Sequence, residues 1–217
     1  MPKSFLLNDA LHAYLTDHST PFDDVRRRLV DETASLGGVA QMQVAPEQSI
    51  FLTLVTRLSG ARHAIELGTF TGLSAISIAS GLAPGGRLIC CDVSDEWTSI
   101  ARRYWKEAGV DDRIELRLGP ALETLQNLPA EPPLDLSFID ADKGNYVDYW
   151  EAIVPRTRQD GVILVDNTLA GGSVLDPSQS AGMTADIRRF NDHAAADSRV
   201  ELVLLPISDG VTMAVKR

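Results

Sequence analysis

The stretch His63-Ala64-Ile65-Glu66-Leu67-Gly68-Thr69-Phe70-Thr71-Gly72-Leu73-Ser74 decides the fold. A short, nearly continuous apolar run passes into two glycines, and a helical pattern follows at once. Apolar runs of this length without in/out alternation suit strands covered on both faces, as in a parallel sheet. The glycines permit a tight turn that a ligand can approach, and the helix behind them offers N-terminal amides and hydroxyls to an anion.

Downstream the alternation continues. Runs at His63–Leu67, Arg87–Asp92, Ile114–Leu118, Leu134–Ile139 and Val162–Val165 are separated by stretches 72–82, 94–109, 119–128 and 143–156 of helical periodicity. This is the pattern of a doubly wound, Rossmann-like α/β sheet. The chain closes differently: Val200–Leu205, Pro206-Ile207-Ser208-Asp209-Gly210 and Val211–Val215 read as a hairpin, making the last strand antiparallel. Upstream, residues 5–60 read as helices, with Pro21 (capped by Thr20) and Pro46 at helix starts and Ser35–Val44 as a connecting loop. One domain over 1–217 is expected, with a helical arm or lid at 1–45 and a catalytic core at 46–217.

Composition narrows the function. The chain has 217 residues, 44% hydrophobic and 23% charged, enough for one α/β core. A net charge of -10 disfavours nucleic acid and anionic membranes as partners. Adjacent Cys90 and Cys91 lie inside a strand-like run and form no disulfide framework, which points to a reducing cytoplasm. No apolar run is long enough to span a bilayer, so no membrane partner is expected.

The first crevice has a readable preference. Asp92 ends the second run, 20 residues after Gly72, where a carboxylate can accept from ribose hydroxyls. A nicotinamide dinucleotide is the obvious rival. However, the glycines are spaced G-x-x-x-G rather than G-x-G-x-x-G, and Glu66 before them would repel pyrophosphate. The cationic methionine end of S-adenosylmethionine would accept that carboxylate. Two further strand ends carry oxygen ligands: Phe138-Ile139-Asp140-Ala141-Asp142-Lys143 and Leu164-Val165-Asp166-Asn167. On adjacent parallel strands, Asp140, Asp166 and Asn167 would suit Mg²⁺ or a similar hard cation, with Lys143 beside it. The competing reading is a pair of solvated aspartates capping the next helices.

Together these residues resemble the cation-dependent class I O-methyltransferases, the caffeoyl-CoA and catechol O-methyltransferase-like family, in a form typical of bacteria. The resemblance runs from about Met42 to the C-terminus and rests on the Glu66–Ser74 loop, Gly119-Pro120-Ala121, Asp140–Lys143, Asp166-Asn167-Thr168-Leu169 and the Asp209-Gly210 turn. It implies a seven-stranded methyltransferase sheet with an antiparallel last strand. It also implies cofactor contacts from Val44, Glu66, Gly68, Thr69, Ser74, Asp92, Ala121 and Asp142, and a divalent cation on Asp140, Asp166 and Asn167. Mg²⁺ is the first choice, with Mn²⁺ and Ca²⁺ as alternatives. Asp140 and Lys143 become the catalytic pair, Lys143 taking the hydroxyl proton or steering the phenolate, and a homodimer follows by analogy.

The acceptor implied is a small hydroxyaromatic with vicinal hydroxyls. Plant members carry a Trp-Asn pair where this chain has Ala170-Gly171-Gly172, followed by a short Ser173–Met183 insertion, which argues against a bulky acyl-CoA. Alternatives are methylation of hydroxylated tRNA uridine, a nicotinamide-dependent oxidoreductase and a non-catalytic binding module. Trp97 and Trp105 read as packing residues, with Trp97 the candidate to edge an adenine. The four histidines and the Arg pairs 102–103 and 188–189 read as ordinary surface or packing residues.

Overall fold

The computed structural model describes residues 7–217, so the first positions of the expected arm lie outside the described residues. Helices α1 (Asp9–Asp17), α2 (Asp24–Ala34) and α3 (Pro46–Ser59) precede β1 (His63–Leu67). Then follow α4 (Leu73–Gly81), β2 (Arg87–Asp92), α5 (Asp95–Glu107), β3 (Ile114–Leu118), α6 (Ala121–Asn127) and β4 (Leu134–Ile139). The chain continues through α7 (Tyr146–Ile153), β5 (Thr157–Val165), α8 (Gly182–Ala195), β6 (Val200–Leu205) and β7 (Val211–Lys216). The seven-stranded sheet runs β3-β2-β1-β4-β5-β7-β6, and only β7 is antiparallel to its neighbours.

Successive strand residues point to opposite faces, and both faces are buried, so the apolar runs show no alternation. Ala64, Leu88, Leu136, Phe138 and Leu164 pack with α3, α4 and α5 on one side. Ile65, Leu67, Ile139, Ile163 and Val165 pack with α6, α7 and α8 on the other, around Tyr146, Trp150 and Phe190.

Several local expectations need correction. Helix α2 begins at Asp24, not Pro21: the Asp23 carboxylate accepts from Arg26 N–H at 2.8 Å and displaces Thr20 as cap. Pro46 does occupy the first turn of α3. Gly37–Met42, inside the expected loop, forms a 3-10 helix. Strand β5 starts at Thr157 rather than Val162, through a register irregularity between Leu134 and Leu136. The helical stretch 143–156 is α-helical only over Tyr146–Ile153, flanked by 3-10 turns. Arg103 is exposed, as expected, but its guanidinium also grips Glu32, which accepts from Tyr104 Oη at 2.8 Å, clamping α2 to α5.

Candidate active site

Register places the chemistry. Leu67 pairs with Ile139, and Ile139 with Val165, so β1, β4 and β5 end in line. The ladder runs one step further: Asp140 N–H donates to Leu67 O at 2.8 Å and Asp166 N–H to Ile139 O at 3.0 Å. Gly68, Asp140 and Asp166 therefore leave the sheet side by side at its carboxyl edge. In a doubly wound sheet the crevice lies where the order reverses, here between β1 and β4.

Two cavities flank that point. One, of about 410 Å³, is lined by Gly68, Asp92, Trp97, Ala121, Asp142 and Tyr149 among others. The second, of about 740 Å³, lies over the ends of β4 and β5 and includes Val44, Gln48, Asp140, Lys143, Asp166 and Asn167. A narrow slot walled by Val44, Gly68–Ser74 and Asp140 adjoins both.

Asp92 organises the glycine loop from the next strand. One carboxylate oxygen accepts from Thr69 and Phe70 N–H at 2.9 and 2.8 Å, and the other from Ser94 N–H at 2.8 Å. A carboxylate has about four lone-pair sites, so capacity remains for a ribose hydroxyl. Trp97 forms the cavity wall, edge-on to Phe70 at 5.0 Å, while Trp105 is buried and donates to Gly72 O. Asp142 stands between the cavities and accepts from Tyr149 Oη at 2.5 Å and Asn145 Nδ2 at 2.6 Å. Ala121, in the first turn of α6, presents a small side chain to the smaller cavity.

Glu66 lies deeper. It is fully buried beneath the loop and faces neither cavity nor the slot; Thr69 Oγ1 donates to one carboxyl oxygen at 3.0 Å and the other has no partner. Burial pushes its pKa up to about 7, against the nearby Ser74, Cys90 and Thr69 side chains.

In the larger cavity Lys143 Nζ donates to Asp140 Oδ1 at 2.8 Å and lies 5.0 Å from the Tyr146 ring centre. Burial raises the proton affinity of Asp140, and Lys143 opposes it. Asp166 is pushed up to about 7, first by burial and then by the charge of Asp140, against Gln48 and the Asn167 N–H. Asn167 sits at φ 57, where its own N–H turns back to Asp166 Oδ1 at 2.7 Å. Two buried acids, with Asp140 raising the proton affinity of Asp166 and Asp209 that of Asp140, form a site where a cation would relieve both desolvation and repulsion. Among the described residues no three His, Cys, Asp or Glu side chains converge as a metal cage, so the third ligand would be the Asn167 amide.

The structure thus brings Val44, Gly68, Thr69, Ser74, Asp140, Asp142, Lys143, Asp166 and Asn167 to the cavities, with Asp92 and Ala121 on the far wall. Sequence reasoning missed Gln48, Asn145, Tyr149 and Asp186, which reach the site from helices and turns and carry no motif. It also treated Gly72 as a ligand-access residue. A Cβ at Gly72 (φ +89) would lie 2.6 Å from Trp105 Nε1 and 2.7 Å from Ala101 Cβ, so this glycine serves the packing of α5.

Sheet order, the reversed strand β7 and the crevice define a class I methyltransferase fold, and solved structures match it closely. An O-methyltransferase from Bacillus cereus in complex with SAH superposes with a TM-score of 0.87 at 35% identity, covering 96% of this chain and 97% of that one. TomG from Streptomyces achromogenes, an O-methyltransferase involved in tomaymycin synthesis and solved in complex with SAM, gives 0.87 at 28% identity, covering 95% and 96%. The probable caffeoyl-CoA O-methyltransferase 2 of Dictyostelium discoideum is 38% identical over 213 residues, 96% of this chain and 92% of that protein. The O-methyltransferase family model matches residues 16–217, and the chain belongs to that family. Family membership sets aside the nicotinamide oxidoreductase and the non-catalytic module. Among the described residues no helix is long and apolar enough to cross a membrane.

Proposed function

We propose that this protein transfers a methyl group from S-adenosylmethionine to one hydroxyl of a small aromatic acceptor with vicinal hydroxyls, assisted by a divalent cation, Mg²⁺ first. The observation that carries the reading is the alignment of Asp140, Lys143, Asp166 and Asn167 at one wall of the 740 Å³ cavity, next to the glycine loop and Asp92. In this reading Asp92 takes the ribose hydroxyls, Trp97 and Ala121 border the adenine, and Val44, Gly68, Thr69 and Ser74 line the passage for the methionine end. Glu66 acts from beneath that passage.

Asp140, Asp166 and Asn167 would hold the cation, which when bound would lower the pKa of the hydroxyl to be methylated. Lys143, at the same wall, takes that proton where its own has been lost beside the bound cation, or as the ammonium holds the resulting phenolate in line with the methyl group. Enclosure between the two cavities supplies the positioning on which methyl transfer depends. The small acceptor is supported by the lining of the cavity: Asp140, Asp142, Asp166, Asp186 and Asp209 face it, against one lysine, an inhospitable wall for the phosphates of an acyl-CoA. A tRNA acceptor meets the same obstacle.

The deciding experiment presents catechols, a catechol acyl-CoA thioester and hydroxylated tRNA with labelled S-adenosylmethionine, with and without EDTA. Methylation of free catechols that is lost in EDTA and restored by Mg²⁺ is the expected result. Full activity in excess chelator refutes the cation, and transfer confined to the thioester refutes the small acceptor.

A further inference from the structure

Gln48 occupies a position that packing alone would give to an apolar residue. It lies in the first turn of α3, and Leu52 and Val55, at the i+4 and i+7 positions of the same stripe, are buried hydrophobics. Gln48 itself is 1% exposed, yet neither its Oε1 nor its Nε2 has a hydrogen-bond partner. Buried polar side chains are nearly always paired, so an orphaned amide at a cavity wall marks a group waiting for something. Its cavity is the one that holds Asp140, Lys143, Asp166 and Asn167.

The side chain shares that cavity wall with Asp166 and completes no hydrogen bond to it. Asp166 Oδ1 accepts from the Asn167 N–H. We propose that Gln48 is a positioning residue of the cation centre: its Nε2 donates to the Asp166 carboxylate once a cation draws that group into line, and its Oε1 accepts a hydrogen bond from a water or acceptor hydroxyl held there. A neutral amide suits this task. It supplies a donor and an acceptor together, whereas a glutamate would add a third carboxylate beside two that already repel each other. The inference rests on the cation-assisted reading above.

The test uses the full-length protein and its Q48L and Q48M variants, the second matching the unbranched side chain without the amide. Mn²⁺ affinity is read from the free-ion electron paramagnetic resonance signal, S-adenosylhomocysteine affinity by calorimetry, and melting temperature in EDTA. Loss of an outer partner of a metal ligand weakens binding 10- to 100-fold, so both variants should lose at least about tenfold in Mn²⁺ affinity. Their S-adenosylhomocysteine affinity should stay within about twofold. In EDTA both should melt higher than wild type, because an unpaired buried amide has been replaced by apolar atoms. Variants that bind Mn²⁺ as tightly as wild type overturn the inference alone. Wild-type protein that binds no Mn²⁺ removes the cation reading and the inference with it.

Discussion

Two buried carboxyls should make the metal-free protein lose stability as the pH rises through the mildly acidic range. Glu66 and Asp166 are 0% and 2% exposed, and both are pushed up to about 7, by burial first. A carboxyl with a raised folded pKa keeps its proton after the unfolded chain has released it. Its contribution is therefore complete below the ordinary carboxylate range and lost as pH climbs toward 7. Each such proton tilts the unfolding free energy by about 1.4 kcal/mol per pH unit. Two give roughly 3 kcal/mol per unit between about pH 5 and 6.5, on the order of 5–10 °C in melting temperature for a chain of this size. Asp140, raised by burial, adds in the same direction. Glu32, Asp135, Glu151 and Asp197 have lowered pKa values and finish titrating below that window. Asp166→Asn should remove about one proton, flattening the slope by about 1.4 kcal/mol per unit, and Glu66→Gln should remove another. Thermal melts by circular dichroism in EDTA at quarter-unit pH steps give the slope directly. A wild-type profile that is flat from pH 5 to 6.5, or an Asp166→Asn slope equal to wild type, refutes the reasoning. Saturating Mg²⁺ should erase most of the decline at pH 7, since a ligand of the folded state stabilises by mass action.

Lys143→Ala should depress turnover by about 10²–10⁴-fold, the range for a lost proton-transfer group, while calorimetric affinity for S-adenosylhomocysteine holds; equal losses in both would remove Lys143 from its role. Trp97→Ala should weaken that affinity about tenfold, since it deletes one aromatic wall of the smaller cavity, with little change in melting temperature because Trp97 is only half-buried. Gly72→Ala should cost about 2–4 kcal/mol in a urea titration, the sum of a left-handed backbone and a Cβ driven into Trp105 and Ala101. A Gly72→Ala protein as stable as wild type would return that glycine to ligand access.

The sheet was legible because its strands are short apolar runs, with β2, β4 and β5 closed or followed by an acid, Asp92, Asp140 and Asp166. Boundaries failed where two local signals competed. Pro21 offered a favourable backbone angle, but Asp23 offered a side-chain acceptor, and the cap won. The start of β5 is Thr157-Arg158-Gln159-Asp160, polar residues whose pairing with β4 depends on an irregular register. Trp97 and Trp105 share a helix and one spacing argument, yet only tertiary packing separates the buried residue from the cavity wall.

The site was legible where one strand end carries its own chemistry, and illegible where chemistry is assembled across the chain. Asp140 and Lys143 are three residues apart and could be paired on sight; Gln48 reaches the cavity of Asp166 from a helix more than a hundred positions earlier. Gly68 shows why motif reading stops short even at a residue it selects. The motif suggested room for a ligand, but a Cβ there (φ +87) would lie 2.3 Å from Asp140 O and 2.9 Å from Ala141 N. The neighbour that demands glycine is the backbone at the end of β4. Any side chain at 68 would have to push that segment away, and Asp140 and Lys143 with it. The distance between the methyl-donor crevice and the acid–lysine wall is thus set by a backbone contact with no side chain in it. Attack geometry tolerates little error, so the demand for glycine at 68 comes from holding the two halves of the site together.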